Sequence, residues 1–186
     1  MDRSSPPARD RILLAAHDLF YRDGIRATGV DRIIAESGVA KLTFYRHFPS
    51  KDDLVRAFLE HRHGRWMAWF VDALGRHGAV AGGGLTPLCP ALAEWFADPA
   101  FRGCAFINAV AEAGTGVPGA LEIARSHKDE MRQLLADLLP AGPHQSRQAQ
   151  AAVVAVDGAI VVAQMSGAQQ ALQGLDALLR AFEARA

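Results

Sequence analysis

The sequence predicts an all-helical chain: a short three-helix module at the N-terminus, then a longer helical body. Three observations carry that expectation. Alanine supplies 35 of the 186 residues, beside abundant Leu, Arg and Glu and only two tyrosines, and alanine is the strongest helix former. Apolar residues recur at three-and-four spacing along most of the chain. The conspicuous glycine and proline clusters fall between those runs, where they end helices.

The elements follow in order. Ile12, Ala16, Leu19 and Phe20 fall at i, i+4, i+7 and i+8, one face of a first helix. Pro6 and Pro7 open it and Gly24 ends it. Thr28-Gly29-Val30-Asp31 has the form of a capping box and leads into a short stripe of Val30, Ile33 and Ile34, which Gly38 breaks. A second short helix is expected from Lys41 to Phe48, burying Phe44 and Phe48, with Pro49 stopping it. Ser50-Lys51-Asp52-Asp53 is another capping box, opening a long helix whose stripe is Leu54, Phe58, the stem of Arg62, Trp66, Trp69, Phe70 and Ala73. Gly82-Gly83-Gly84 with Pro87 and Pro90 reads as a flexible loop. Further helices are expected at about 88–97, 103–113, 118–139, 146–170 and 172–185, separated by glycines and prolines. The valines of 151–165 would also suit a buried strand, but length and alanines favour helix.

Composition bounds the function. Half of the residues are hydrophobic and 22% are charged, which excludes a largely disordered chain. Twenty basic residues balance twenty acidic ones, so a polybasic whole-chain mechanism is excluded while a local basic face is not. Residues 1–51 carry nine basic and six acidic side chains, and residues 64–186 carry nine and eleven. A mildly basic front and a mildly acidic rear suit a nucleic-acid reader joined to something else. Two cysteines cannot staple a secreted scaffold, and the polar, charged stretch Met1 to Arg11 is no signal peptide. The apolar run at 151–163 looks too short to span a bilayer, and Asp157 interrupts it. A cytoplasmic protein with no membrane partner is expected.

Two short helices flanking a glycine turn, with a longer helix before them, form a helix-turn-helix. The second would present Lys41, Leu42, Thr43, Tyr45, Arg46 and His47 to a DNA major groove. Arg and Lys reach guanine edges, Leu touches a thymine methyl, and hydroxyls reach phosphates. The alternative on pattern alone is a plainly packed three-helix module with Phe44, Tyr45 and Phe48 as core. The stretch Gly24 to Leu54 (GIRATGVDRIIAESGVAKLTFYRHFPSKDDL) closely resembles the DNA-binding signature of the TetR family of transcriptional regulators. That resemblance implies a homodimeric repressor with an N-terminal three-helix reader, here residues 1–50, and a helical effector-binding and dimerisation domain, here 51–186. It implies phosphate contacts from Thr28, Thr43, Tyr45, His47 and Lys51, and base-edge contacts from Lys41, Leu42 and Arg46. Ala40 departs from the family, which often has Ser or Thr there.

The rear half is similar to one group of such regulators at Phe101–Glu112, His127-Lys128 and Asp157-Gly158-Ala159. Trp66, Trp69, Phe70, Trp95, Phe96, Phe101, Phe106 and Met131 would supply an aromatic, pliable lining, and Asn108, Glu112, His127 and Gln164 polar anchors. That mixture suits a small, mostly apolar effector. The alternative is that the aromatics are core and the polar groups are satisfied internally. Ala151, Ala155, Ala159, Ala163, Gly167 and Ala171 recur every four residues, a ridge on which helices pack closely. Ala155, Ala159, Ala163 and Gly167 are its middle members and are expected at a dimer interface, which the resemblance places on the last two helices. The competing possibility is that the ridge packs inside its own subunit.

No metal, cofactor or catalytic group is expected. His61 and His63 are two apart on a helix and point away from each other. Neither a Gly-rich phosphate loop nor a Gly-x-Ser-x-Gly elbow occurs. Asp157, among valines, reads as a buried, hydrogen-bonded structural group. The sequence thus points to a regulator with three partners: a double-stranded DNA operator, a small-molecule effector and a second copy of itself. A helical ligand-binding protein or enzyme with a vestigial reader is the alternative from another class, and a DNA-binding activator is a nearer one.

Overall fold

The computed structural model describes residues 6–113 and 116–183. These form nine helices and no strand: α1 (Ala8–Asp23), α2 (Val30–Ser37), α3 (Lys41–His47), α4 (Lys51–Arg76), α5 (Leu88–Phe96), α6 (Ala105–Ala113), α7 (Ala120–Leu138), α8 (Gln145–Ser166) and α9 (Ala168–Glu183). The expected breaks fall where glycine and proline place them, with two exceptions described below.

Two compact units result, and the chain passes between them three times. The first takes the chain up to His63 together with Ala105–Ala124. The second takes Gly64–Cys104 and everything from Arg125. Two of the passages lie inside continuous helices, α4 and α7. The expected division after residue 50 therefore falls within the first unit. The reason is packing: Leu54, Phe58 and Leu59 on α4 are buried, as are Ile12, Leu19 and Phe20 on α1 and Ile33 on α2. Phe20 and Phe58 meet edge to face at 5.5 Å. Ser50 caps α4 through its hydroxyl: the Asp53 amide donates to Ser50 Oγ at 3.1 Å, and Ser50 Oγ donates to Asp53 Oδ2 at 2.6 Å.

In the second unit the Gly82–Gly84 stretch is anchored rather than free. The amides of Gly82 and Gly84 donate to Asp137 O at 3.0 Å and Leu138 O at 2.7 Å. Gln145 Nε2 donates to Ala136 O at 2.9 Å and Leu139 O at 3.3 Å. The last carbonyls of a helix have no partner within it, so these loops supply the donors that end α7.

The other exception is Gly167. Here φ is +94° and its amide returns to Ala163 O at 3.1 Å, which ends α8. The expected helix through residue 170 and the unbroken small-residue ridge both stop here, because glycine alone adopts this conformation cheaply. Ala171 belongs to α9. A second correction concerns the ridge itself: Ala155, Ala159 and Ala163 are buried within the single chain. They are not an open surface awaiting a partner, and Gly167 is an exposed turn.

The helix α8 runs 22 residues and holds an 18-residue window of mean hydropathy 1.5, long and apolar enough to cross a membrane by length and composition only. The expected apolar run 151–163 is thus the middle of a longer helix. Here it packs against α9. Asp157 accepts a 2.5 Å bond from Lys128 Nζ on α7, both side chains being about three-quarters buried, which bears out a hydrogen-bonded structural group.

Replacing Ala159 by Leu should overpack this interior and cost about 1–3 kcal/mol. The melting temperature should fall by the same amount at every protein concentration. A deficit that shrinks on concentrating the protein would instead place Ala159 against a second subunit.

Candidate nucleic-acid interface

The reader is built in the first unit from α1, α2 and α3. Gly38 caps α2 in the left-handed region at φ +63°, and its amide donates to Ile34 O at 3.1 Å. This turn, together with half-buried Ile34 and buried Val39, sets α3 against its neighbours. Ala40 is the N-cap of α3 and makes no side-chain cap bond. Alanine has no side-chain acceptor to offer.

On α3 the side chains sort by period. Phe44 is fully buried, and Phe48 just beyond the helix is nearly so. Leu42 is 83% exposed, with Lys41, Tyr45 and Arg46 also exposed and Thr43 and His47 half-buried. Six of the expected DNA-facing residues thus share one short helix whose apolar side is anchored. Lys41 reaches back to Asp31 Oδ1 at 3.2 Å. Both groups are well exposed, so this pair is easily exchanged for another partner.

Two expected contacts look different in three dimensions. Thr28 is fully buried, and its hydroxyl donates to Gly24 O at 2.8 Å. It is neither a cap nor available to a phosphate: Gly29 is the N-cap of α2, without a side-chain bond. Lys51 Nζ donates to Ile25 O at 2.6 Å and lies 5.9 Å from the Phe20 ring centre. Partial burial pushes the Lys51 ammonium below the usual lysine range, while the charges of Asp52 and Glu112 oppose that shift. An ammonium has three donors, so the bond to Ile25 does not exhaust it.

The expected effector residues divide between the units. Phe106, Asn108 and Glu112 lie on α6 in the first. Phe106 is buried with its ring 6.5 Å from His63. Glu112 accepts the Arg26 amide at 3.0 Å through one carboxylate oxygen, which ties it to the α1–α2 loop. Sequence reasoning missed this bond, which joins residues 86 apart and leaves no local signal.

In the second unit Trp66 is the hub. It stacks on Phe70 at 4.6 Å and meets Trp95 at 5.5 Å and His127 at 5.1 Å edge to face, with Trp69 at 6.1 Å. Trp95 passes the cluster on to Phe101 at 5.1 Å. Phe70 and Met131 are fully buried and serve as core. The Trp66 indole N–H is buried without a hydrogen-bond acceptor among the described residues. Gln164 is exposed, and its carboxamide occupies the space a side chain on Gly103 would need. Lys128 Nζ also lies 3.7 Å from the buried Cys104 sulfur. No group of three or more His, Cys, Asp or Glu able to hold a metal occurs among the described residues.

Known proteins converge on this architecture. Residues 12–58, which span α1 to the first turns of α4, match the tetR family of bacterial regulatory proteins. The whole chain is similar to SCO4454, a TetR-family transcriptional regulator from Streptomyces coelicolor. The two are 31% identical, with 93% of this chain and 94% of that one covered and a TM-score of 0.81. The transcriptional repressor Rv3405c of Mycobacterium tuberculosis is 38% identical over 42% of this chain and 48% of its own length. The transcriptional activator FasR of Mycolicibacterium smegmatis is 42% identical over 30% of this chain and 25% of its own length. The chain thus spans half or less of the curated relatives it matches. With the reader's geometry and a likeness that covers both units, the chain belongs to the TetR family of transcriptional regulators and is a DNA-binding helix-turn-helix protein.

Proposed function

We infer that the protein is a homodimeric repressor that binds a pseudo-palindromic operator and is released by a small apolar effector. The observation that carries this is the sorting of α3: Phe44 and Phe48 sink into the core, while Lys41, Leu42, Tyr45 and Arg46 stand outward. Such a helix fits the major groove, with Arg46 and Lys41 on guanine edges and Leu42 on a thymine methyl. Thr43, Tyr45, His47 and the remaining donors of Lys51 are assigned to phosphates.

The homodimer is supported by a surface that the sequence reading passed over. Val154, Val161 and Met165 on α8 and Leu178 on α9 are 63%, 40%, 80% and 48% exposed. On α8 they fall with Gly158 at i, i+4, i+7 and i+11, one helical stripe. Exposed apolar stripes of this kind mark interaction sites, a protein partner among them. The interface duty expected of Ala155, Ala159 and Ala163 therefore passes to this exposed stripe.

The effector is supported by the aromatic cluster around Trp66, whose indole N–H lacks an acceptor. An unpaired buried donor costs about 1–3 kcal/mol, which a ligand oxygen or nitrogen would recover. Trp66 and Trp69 lie on α4, the helix that opens at Lys51 beside the reader. A ligand preferring a displaced α4 would respace the two recognition helices and weaken DNA binding by its differential affinity. Relatives of both polarities match the chain, so an activator is the second reading.

Selection of bound duplexes from a random pool tests the operator. An inverted repeat should emerge with half-sites about 34 Å apart, or a multiple of that. Arg46→Ala should relax preference at one position per half-site by about 1–3 kcal/mol. Lys51→Ala should weaken all duplexes alike and reduce the salt slope by about one. Emergence of single half-sites would remove the dimeric part.

For the dimer, Val161→Glu should shift sedimentation toward the monomer across a dilution series while each subunit keeps its helical content. Unchanged association would send the exposed stripe back to a surface without a partner. For the effector, an aromatic compound that quenches the tryptophan fluorescence should also release the selected duplex. Quenching without release would leave a binding site and remove the coupling.

A further inference from the structure

We propose that Glu112 is a positioning residue of the DNA reader, fixing the α1–α2 loop through its backbone. This deepens the regulator reading above by naming a second route, besides α4, through which the rest of the chain acts on the recognition helix.

The loop Gly24–Thr28 connects the supporting helix α1 to α2, and α2 in turn carries α3. Three bonds hold it. Thr28 closes it on itself through Gly24 O at 2.8 Å. Lys51, the first residue of α4, donates to Ile25 O at 2.6 Å. Glu112, near the C-terminal end of α6, accepts the next amide, that of Arg26, at 3.0 Å. A cation on one helix and an anion on another thus grip successive backbone groups of one short turn.

The fit at Gly24 tightens this arrangement. Gly24 sits at φ +93°, and a Cβ built there would meet the two Glu112 carboxylate oxygens at 3.0 and 3.1 Å. The carboxylate therefore lies against the bare backbone at the α1 C-cap while it holds the Arg26 amide. A backbone amide bonded to a charged acceptor is among the stronger hydrogen bonds.

The chain path gives the bond its reach. α6 enters the reader unit directly from Cys104 in the second unit, and α7 returns to that unit after Ala124. The segment Ala105–Ala124 that holds α6 is thus continuous with the second unit at both ends. A displacement of α6 reaches the α1–α2 loop through Glu112 independently of the route along α4.

Three substitutions separate this role from its rivals. Glu112→Gln keeps an acceptor oxygen at the same reach and loses the charge. Glu112→Asp keeps the charge and loses the reach. Glu112→Ala loses both. Amide hydrogen exchange of the segment around Arg26 reads the bond directly and needs no DNA. Exchange there should accelerate most in the Asp and Ala variants and least in the Gln variant, whose neutral oxygen makes a weaker bond of the same reach.

Affinity for a duplex selected from a random pool reads the consequence. The Asp and Ala variants should bind about fivefold more weakly than the Gln variant, the scale of one hydrogen bond, with an unchanged salt slope. A bare charge effect would instead strengthen Gln and Ala alike, since both remove an anion near the phosphates. Equal affinity for Gln and Ala, or unchanged exchange at Arg26 in both Ala and Asp, overturns the proposal. If Glu112→Ala fails to fold, Glu112→Asp carries the same comparison. If even the wild type selects no duplex, the DNA reading fails, while the exchange experiment still decides whether Glu112 holds the loop.

Discussion

A helix of seven residues has almost no stability of its own, because nucleation fixes several dihedral angles for a single bond. Everything α3 offers to DNA therefore depends on the burial of Phe44 and Phe48. Fully burying a phenylalanine contributes about 1.5–3 kcal/mol, enough to offset what so short a helix lacks. The same anchor fixes rotation about the helix axis. With Phe44 inward, its neighbours Lys41, Leu42, Tyr45 and Arg46 face out. The exposure of Leu42 follows from this geometry rather than from a failure of packing. α3 packs against α1 and α2, and α1 in turn meets the start of α4 through Phe20 and Phe58, so the reader unit does not end where α4 begins.

The loop between α1 and α2 is the second point on which the reader turns. It is short, and only Ile25 among its apolar side chains is buried, so hydrophobic burial alone gives it little hold. Backbone groups carry the task instead, bonded by Thr28, Lys51 and Glu112. Two of those side chains carry charge, and charged partners make stronger hydrogen bonds than neutral ones. Lys51 bears a cost for this, since its partial burial disfavours the ammonium.

The second unit solves a different problem. It gathers Trp66, Trp69, Phe70, Trp95 and Phe101 around one another, edge to face and stacked. Aromatic pairs of this kind give directional packing beyond their area. Its polar groups are placed with care elsewhere: Lys128 meets Asp157, and the end of α7 is closed by Gln145 and the glycine amides. Against that background the Trp66 N–H, buried without an acceptor among the described residues, stands out. So do the exposed valines and methionine of α8, because the same helix buries its alanines efficiently.

The sequence by itself determined the helical fold, the caps and the identity of the reader, since each rests on neighbours in the chain. Spacing of three and four places Ile12, Leu19, Phe44 and Phe58 inside, and Gly24, Gly38 and Ser50 end or begin helices through bonds only a few residues long. Tertiary structure decided what depends on distant partners. Thr28 has the spacing of a cap, yet its hydroxyl found Gly24 O in the interior. Glu112 has the look of a pocket anchor, yet a residue 86 positions away claims it. The alanine ridge of α8 carries no mark of whether its own subunit or another covers it, and the fold filled that face from within. Periodicity tells which residues share a face; only the assembled chain tells what that face meets.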